Sequence, residues 1–190
     1  MAALQQQPHR ARLAVVVMGV SGTGKSSVAA GLACVLGVPW VDGDDLHLPE
    51  AVARMRGGVP LCDDDRWPWL ERIGARLSDE AAAPAGVVVA CSALKRAYRD
   101  RLRTAAPGLH FVCLDGPRAL VRHRLEERSG HYMPPALLDS QLQAFEKPGA
   151  DEPEVLHAGI EEPVPLIVAS VGARLIAFAQ NCSASLKVAA

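Results

Sequence analysis

The chain has 190 residues, 49% of them hydrophobic and 22% charged, with a formal net charge of −1. That composition fits one soluble globular domain with a sizeable core, and the near-zero charge excludes a global field for nucleic acid or an anionic membrane. Five scattered cysteines without C-x-x-C spacing argue against a disulfide framework or a zinc site, and for a reducing, cytoplasmic setting.

Residues 1–12 are polar and basic and read as a disordered tail. Leu13 to Met18 (LAVVVM) is a β-branched run without alternation, the pattern of a strand buried on both faces. Gly19-Val20-Ser21-Gly22-Thr23-Gly24-Lys25-Ser26 follows, and Ser27 to Leu36 keeps helical register. Val38 to Val41 forms a second strand, ending at Asp42, Asp44 and Asp45. A helix carries Leu70, Ile73, Leu77 and Ala81 on one stripe, with Pro68 in its first turn. Gly86 to Ala90 and Leu109 to Leu114 repeat the buried-strand pattern, separated by a helix with Leu94, Tyr98 and Leu102 on one side. Leu120, Arg124 and Leu125 mark a further helix. The stretch 146–165, rich in Pro, Gly and acids, reads as a connection, and Leu166 to Ala169 as the fifth strand. No apolar run reaches the ~20 residues of a membrane span. Alternation of this kind implies an α/β fold: a five-stranded parallel sheet with helices on both faces and ligands at the carboxyl ends of its strands.

The octet from Gly19 to Ser26 matches G-x-x-x-x-G-K-[ST] between a strand and a helix, the context a P-loop requires. Its glycines let backbone N–H groups converge on the phosphates of ATP, and the helix N-terminus adds positive charge. Gly19, Val20, Ser21, Gly22, Thr23, Gly24, Lys25, Ser26 and Ser27 are therefore the nucleotide-binding candidates. Lys25 reaches the β- and γ-phosphates, and the Ser26 hydroxyl is placed for Mg²⁺.

The guanine signature N-K-x-D is absent, which removes the GTPases. Asp115, closing LHFVCL, is a Walker-B-like acid and belongs to the weaker reading, a non-catalytic ATP-dependent switch; a shikimate- or nucleotide-type small-molecule kinase is the other alternative. The stronger one is Asp42-Gly43-Asp44-Asp45. Two carboxylates at i and i+2 on an extended segment point the same way, so Asp42 can hold Mg²⁺ while Asp44 takes the acceptor's hydroxyl proton.

Beyond these motifs the chain resembles the gluconate kinases, P-loop kinases related in architecture to shikimate and nucleoside-monophosphate kinases. The matching stretches are VVVMGVSGTGKSSVA (15–29), DGDDLH (42–47), Met55 with GVPLCDDDRWPWL (58–70), CSALKRAYRDRLR (91–103) and RLEERSGHYMPPALLDSQLQAFEKPGADE (124–152). They run in family order from Leu13 to about Ser170. The chain departs where the family has Pro directly after the histidine of DGDDLH (here Leu48, then Pro49), Asn at Ala51 and Lys at Arg54. The resemblance implies one kinase domain over 13–181, with a lid at about 124–140 and a C-terminal tail over 182–190. It also implies gluconate as acceptor, 6-phosphogluconate as product, a homodimer, and Arg54 and Ser92 in the acceptor pocket.

An acceptor with a carboxylate at one end needs a cationic grip away from the phosphates. Arg66, Lys95, Arg96 and Arg99 are the candidates; Lys95 and Arg99 share a helix face at i and i+4, whereas Arg96 points elsewhere. The resemblance favours Arg66 and Lys95, against the alternative of solvated helix charges. Arg124 and Arg128 lie four apart ahead of Ser129-Gly130-His131, as lid cations able to close on the transferring phosphoryl. His47 and His131 are candidates for substrate hydroxyls, with a structural role as the alternative. Trp67 and Trp69 are read as core anchors.

Overall fold

The computed structural model describes residues 12–79, 83–127 and 138–188, with side chains through 180. Five parallel strands form one sheet in the order β2-β3-β1-β4-β5: β1 Leu13–Met18, β2 Trp40–Asp42, β3 Gly86–Ala90, β4 His110–Asp115 and β5 Val155–Gly159. All residues of β1 and β3 are buried, as their unalternating apolar runs require. The helices are α1 Lys25–Leu36, α2 Pro49–Arg56, α3 Asp63–Ser78, α4 Arg96–Ala105, α5 Arg118–Glu126, α6 Leu138–Ala144 and α7 Val164–Val188.

The two faces of the sheet divide β1 by parity. Leu13, Val15 and Val17 pack with Val28 and Leu32 of α1, Val121 of α5 and Val171 of α7. Ala14, Val16 and Met18 pack with Leu70 and Ile73 of α3 and Tyr98 and Leu102 of α4. Side chains alternate across a strand, so one central strand serves both cores. Because β1 has β3 on one side and β4 on the other, the chain reverses direction at β1, and the loops after β1, β2 and β3 open at the same end of the sheet.

Three expectations are corrected. The fifth strand is Val155–Gly159, inside the stretch read as a connection, and Leu166–Ala169 lies in α7. In α7 the buried residues are Ile167, Val168, Val171 and Leu175, a helical spacing that the four-residue apolar run concealed. Pro163 and Pro165 fall at the helix start, where proline is tolerated, and α7 continues to Val188, past residue 181 where the domain was expected to end. Finally, Pro68 is the sixth residue of α3, because the helix opens at Asp63. Asp63, Asp64 and Asp65 occupy its first turn, and the Cys62 N–H donates to Asp65 Oδ2 at 2.9 Å. The acidic triplet is a helix N-terminus.

Candidate active site

The loop between β1 and α1 folds around one carbonyl. Val20 O accepts from Thr23 Oγ1 at 2.9 Å and from Lys25 Nζ at 3.1 Å. Gly19, Gly22 and Gly24 adopt φ of 140°, 86° and 90°, a region that side chains rarely enter. At Gly19 a Cβ would stand 2.5 Å from Leu114 O, so this turn also needs the missing side chain. Gly24 caps α1 without a side-chain bond, which leaves the first N–H groups of the helix directed at the loop.

Ser26 Oγ donates to Asp42 Oδ2 at 2.7 Å, and Asp42 Oδ1 accepts the Asp44 N–H at 3.1 Å. The carboxylate thus joins the tip of β2 to the start of α1. The expected geometry was different: Gly43–Leu46 is a 3₁₀ turn, so Asp42 and Asp44 are not two teeth of one extended segment. Asp42 caps that turn, and Asp44 is carried round into the cleft. Gly43 permits the turn, since a Cβ there would lie 2.4 Å from Ala90 O.

Two cavities meet in this cleft. The donor cavity, about 690 Å³ of open space, is walled by Ser21, Gly22 and Gly24 of the loop, Lys25, Ser26 and Ser27 of α1, and Asp44 and Arg124. The acceptor cavity, about 560 Å³ of open space, is walled by Asp44, His47, Met55, Leu61, Arg66, Trp69, Ser92 and Gln141, among others. Ser21, Lys25 and Asp44 line both.

The acceptor wall is made of side chains held by neighbours. His47 stacks on Trp69 with ring centroids 4.3 Å apart, and Trp69 Nε1 donates to Gly43 O at 2.6 Å. Burial, with the Arg66 charge behind it, pushes His47 down to about 4, so the ring is neutral at pH 7. Arg66 Nη1 donates to Tyr98 Oη at 3.0 Å, and Tyr98 Oη donates to Asp63 Oδ1 at 2.5 Å. Bonds from Lys95 and Tyr98 hold the Asp63 carboxyl below its ordinary range. Cys91, fully buried at the end of β3, is pushed up to about 12 by burial and is an unreactive thiol.

The sequence-derived candidates separate clearly. Gly22, Gly24, Ser26, Ser27 and Arg124 line the donor cavity, and His47, Arg66 and Ser92 the acceptor cavity. Arg124 Nη2 is also held by Ile160 O at 2.8 Å. Lys95 lines neither cavity: its Nζ grips both oxygens of Asp63, at 2.7 and 2.8 Å. Arg54 Nη1 donates to both oxygens of Asp65, at 2.7 and 2.9 Å, on the exposed side of α2. Arg99 is corrected. It is 1% exposed, locked to Glu152 at 2.7 and 2.6 Å, and donates to Ala93 O and Leu94 O. It fastens the loop after β3, where Ala93 has φ 41°. Helix spacing gave its face but could not supply its partner, 53 residues away. Asp115 is paired with Lys147 at 2.5 Å and lines neither cavity, against the Walker-B reading. Arg128 and His131 lie outside the described residues, as does most of the expected lid. The residue that sequence reasoning missed is Gln141 of α6, whose Oε1 accepts the Ser21 N–H at 2.6 Å. A glutamine within the apolar stripe of Leu138 and Leu142 was its one available signal.

Among the described residues no group of three or more His, Cys, Asp or Glu could hold a metal. The Ser26–Asp42 pair nevertheless fits a hard cation of the Mg²⁺ type, which takes one or two protein oxygens and completes its shell with phosphates and water.

A family model described as AAA domain matches residues 15–148. The chain is 40% identical over 167 residues to a thermosensitive gluconokinase of Escherichia coli, covering 87% of this chain and 89% of that protein. It is 47% identical over 149 residues to a gluconokinase of Gluconobacter oxydans, covering 78% and 84%. A crystal structure of a gluconokinase from Sinorhizobium meliloti 1021 superposes with a TM-score of 0.81 at 46% identity, covering 91% of this chain and 97% of that one. A shikimate kinase from Aquifex aeolicus, at 16% identity and a TM-score of 0.54 over 90% and 98%, shares the fold alone.

Proposed function

Because the chain belongs to the gluconokinase family of P-loop kinases, we propose that it transfers the γ-phosphoryl group of ATP to the 6-hydroxyl of D-gluconate, giving 6-phosphogluconate and ADP. The observation that carries this reading is the junction of the two cavities at Ser21, Lys25 and Asp44. A donor bound to the cradle and an acceptor bound against His47 and Arg66 meet at that junction.

In this reading the 6-oxygen attacks phosphorus, the bond from phosphorus to the ADP oxygen breaks, and the hydroxyl proton passes to Asp44. Lys25 contributes a positive charge where negative charge accumulates, and Arg124 a second from the far wall. Arg66, with its guanidinium fixed by Tyr98, takes the carboxylate of the acid at the opposite end of the cavity. Neutral His47 is matched to an uncharged hydroxyl partner. Ser26 and Asp42 would hold Mg²⁺, which when bound neutralises phosphate charge. A homodimer is carried over from the family resemblance, and a cytoplasmic setting from the scattered cysteines.

The test is gluconate-dependent ADP release by the wild type and by Asp44→Asn. The wild type turns over with gluconate and not with shikimate or nucleoside monophosphates. The variant loses about 10²–10⁴ in kcat. Wild-type turnover in Asp44→Asn would remove Asp44 as the base.

A further inference from the structure

The inner face of α6 is built for packing. Leu138 is buried in the core cluster around β1 and α1, and Leu142 packs against the same cluster. Gln141 stands on this face and is 8% exposed. An amide in such a place is unfavourable unless its polar atoms find partners. Its Oε1 takes the Ser21 N–H at 2.6 Å, across 120 residues of sequence.

That donor has a particular position. Among the described residues Ser21 is one of three walling both cavities, and the other two, Lys25 and Asp44, carry charge. Gln141 walls the acceptor cavity alone. Its side chain therefore reaches from the acceptor side to the backbone of the phosphate cradle at the point where donor and acceptor meet. Leucine would satisfy the packing of the stripe but offer the amide no acceptor. Glutamate would offer an acceptor and set a negative charge beside the γ-phosphate. Only a long neutral carbonyl serves both needs.

We infer that Gln141 is a positioning residue for phosphoryl transfer: by holding the Ser21 amide it fixes the spacing between cradle and acceptor wall, so that the bound hydroxyl, and not water, lies in line with the γ-phosphoryl. The inference rests on the gluconokinase reading. Transfer is sensitive to such spacing, since a misplacement of about 1 Å can cost on the order of 100-fold in rate.

The experiment uses the full chain with Gln141→Leu, which keeps the apolar stripe, and Gln141→Met, an unbranched side chain of similar length that carries the comparison if the first variant fails to fold. ADP and 6-phosphogluconate are both quantified. The expected result is a fall in kcat of about tenfold or more, with the KM for ATP within about threefold of wild type. Released ADP should exceed phosphogluconate formed, because water now competes for the phosphoryl group. A purely structural role would leave that ratio at one. The inference is overturned if the folded variants keep wild-type kcat and one-to-one stoichiometry, or if activity is lost wholly through the KM for ATP. Failure of the underlying reading looks different: the wild type itself would show no turnover on gluconate.

Discussion

On the donor side of the cleft the working parts are backbone: three glycines at positive φ, a carbonyl that gathers Thr23 and Lys25, and the uncapped start of α1. On the acceptor side they are side chains from separate elements: His47 after the 3₁₀ turn, Arg66 on α3, Ser92 after β3 and Gln141 on α6. A cradle of main chain depends on local conformation and tolerates few substitutions within one short loop. A wall of side chains depends on tertiary neighbours, so its members can be removed one at a time with separate consequences.

The sharpest way to break this contrast is at Gly19. An alanine there must take φ 140° with its Cβ against Leu114 O, so the loop has to move. Gly19→Ala should lower kcat/KM for ATP by about 10² or more, read by steady-state kinetics. Gly37, at φ 70° with open space around its Cβ position, supplies the control. Gly37→Ala should cost about 1 kcal/mol of stability and leave turnover intact. Equal kinetic losses at the two glycines would contradict the backbone account.

A smaller and more selective loss is expected across the cleft. Arg66→Leu should raise the KM for gluconate about 10- to 100-fold, the worth of a charge-assisted hydrogen bond, with kcat and the KM for ATP nearly unchanged. Arg54→Ala removes an exposed ion pair outside the cavity and should leave both KM values within about twofold. If Arg54 and Arg66 behaved alike, the acceptor wall would be wrongly drawn.

The mildest expected effect is on pH. Burial and Arg66 depress His47 from 6.5 to about 4, so between those values the unfolded chain binds a proton that the folded chain refuses. Stability from this group is present above pH 6.5 and is lost as pH falls towards 4. The melting temperature of the wild type should therefore fall more between pH 7 and pH 5 than that of His47→Gln. Parallel falls would show that the imidazole is not excluded from protonation.

The same contrast explains what could be read from residues alone. The cradle is contiguous, so spacing alone marks it out, and β1 and β3 were recognisable from their unbroken apolar runs. The acidic pair at the tip of β2 was found for an incorrect geometric reason: Asp44 reaches the cleft through a 3₁₀ turn that Gly43 permits, and no extended segment is involved. Arg99 looked like a ligand cation because helix spacing gives a direction and no partner, whereas Glu152 and the strained loop at Ala93 claim it. The two form a buried pair in which burial alone would raise the Glu152 carboxyl, but Arg99 and Arg103 hold it at about 2. The edge strand β5 was hidden by the Pro- and acid-rich segment around it. Leu166–Ala169 mimicked a strand because a short apolar run is compatible with either period.

The most direct test of the account is a structure with a non-hydrolysable ATP analogue and gluconate bound together. The account predicts the 6-oxygen about 3–3.5 Å from the γ-phosphorus, in line with the leaving oxygen. It also predicts that oxygen within about 2.6–3.2 Å of Asp44, with the acid's carboxylate on Arg66. Gluconate seated with its 6-hydroxyl turned away from Lys25 and Asp44, or phosphates lying outside the Gly19–Ser26 loop, would contradict it.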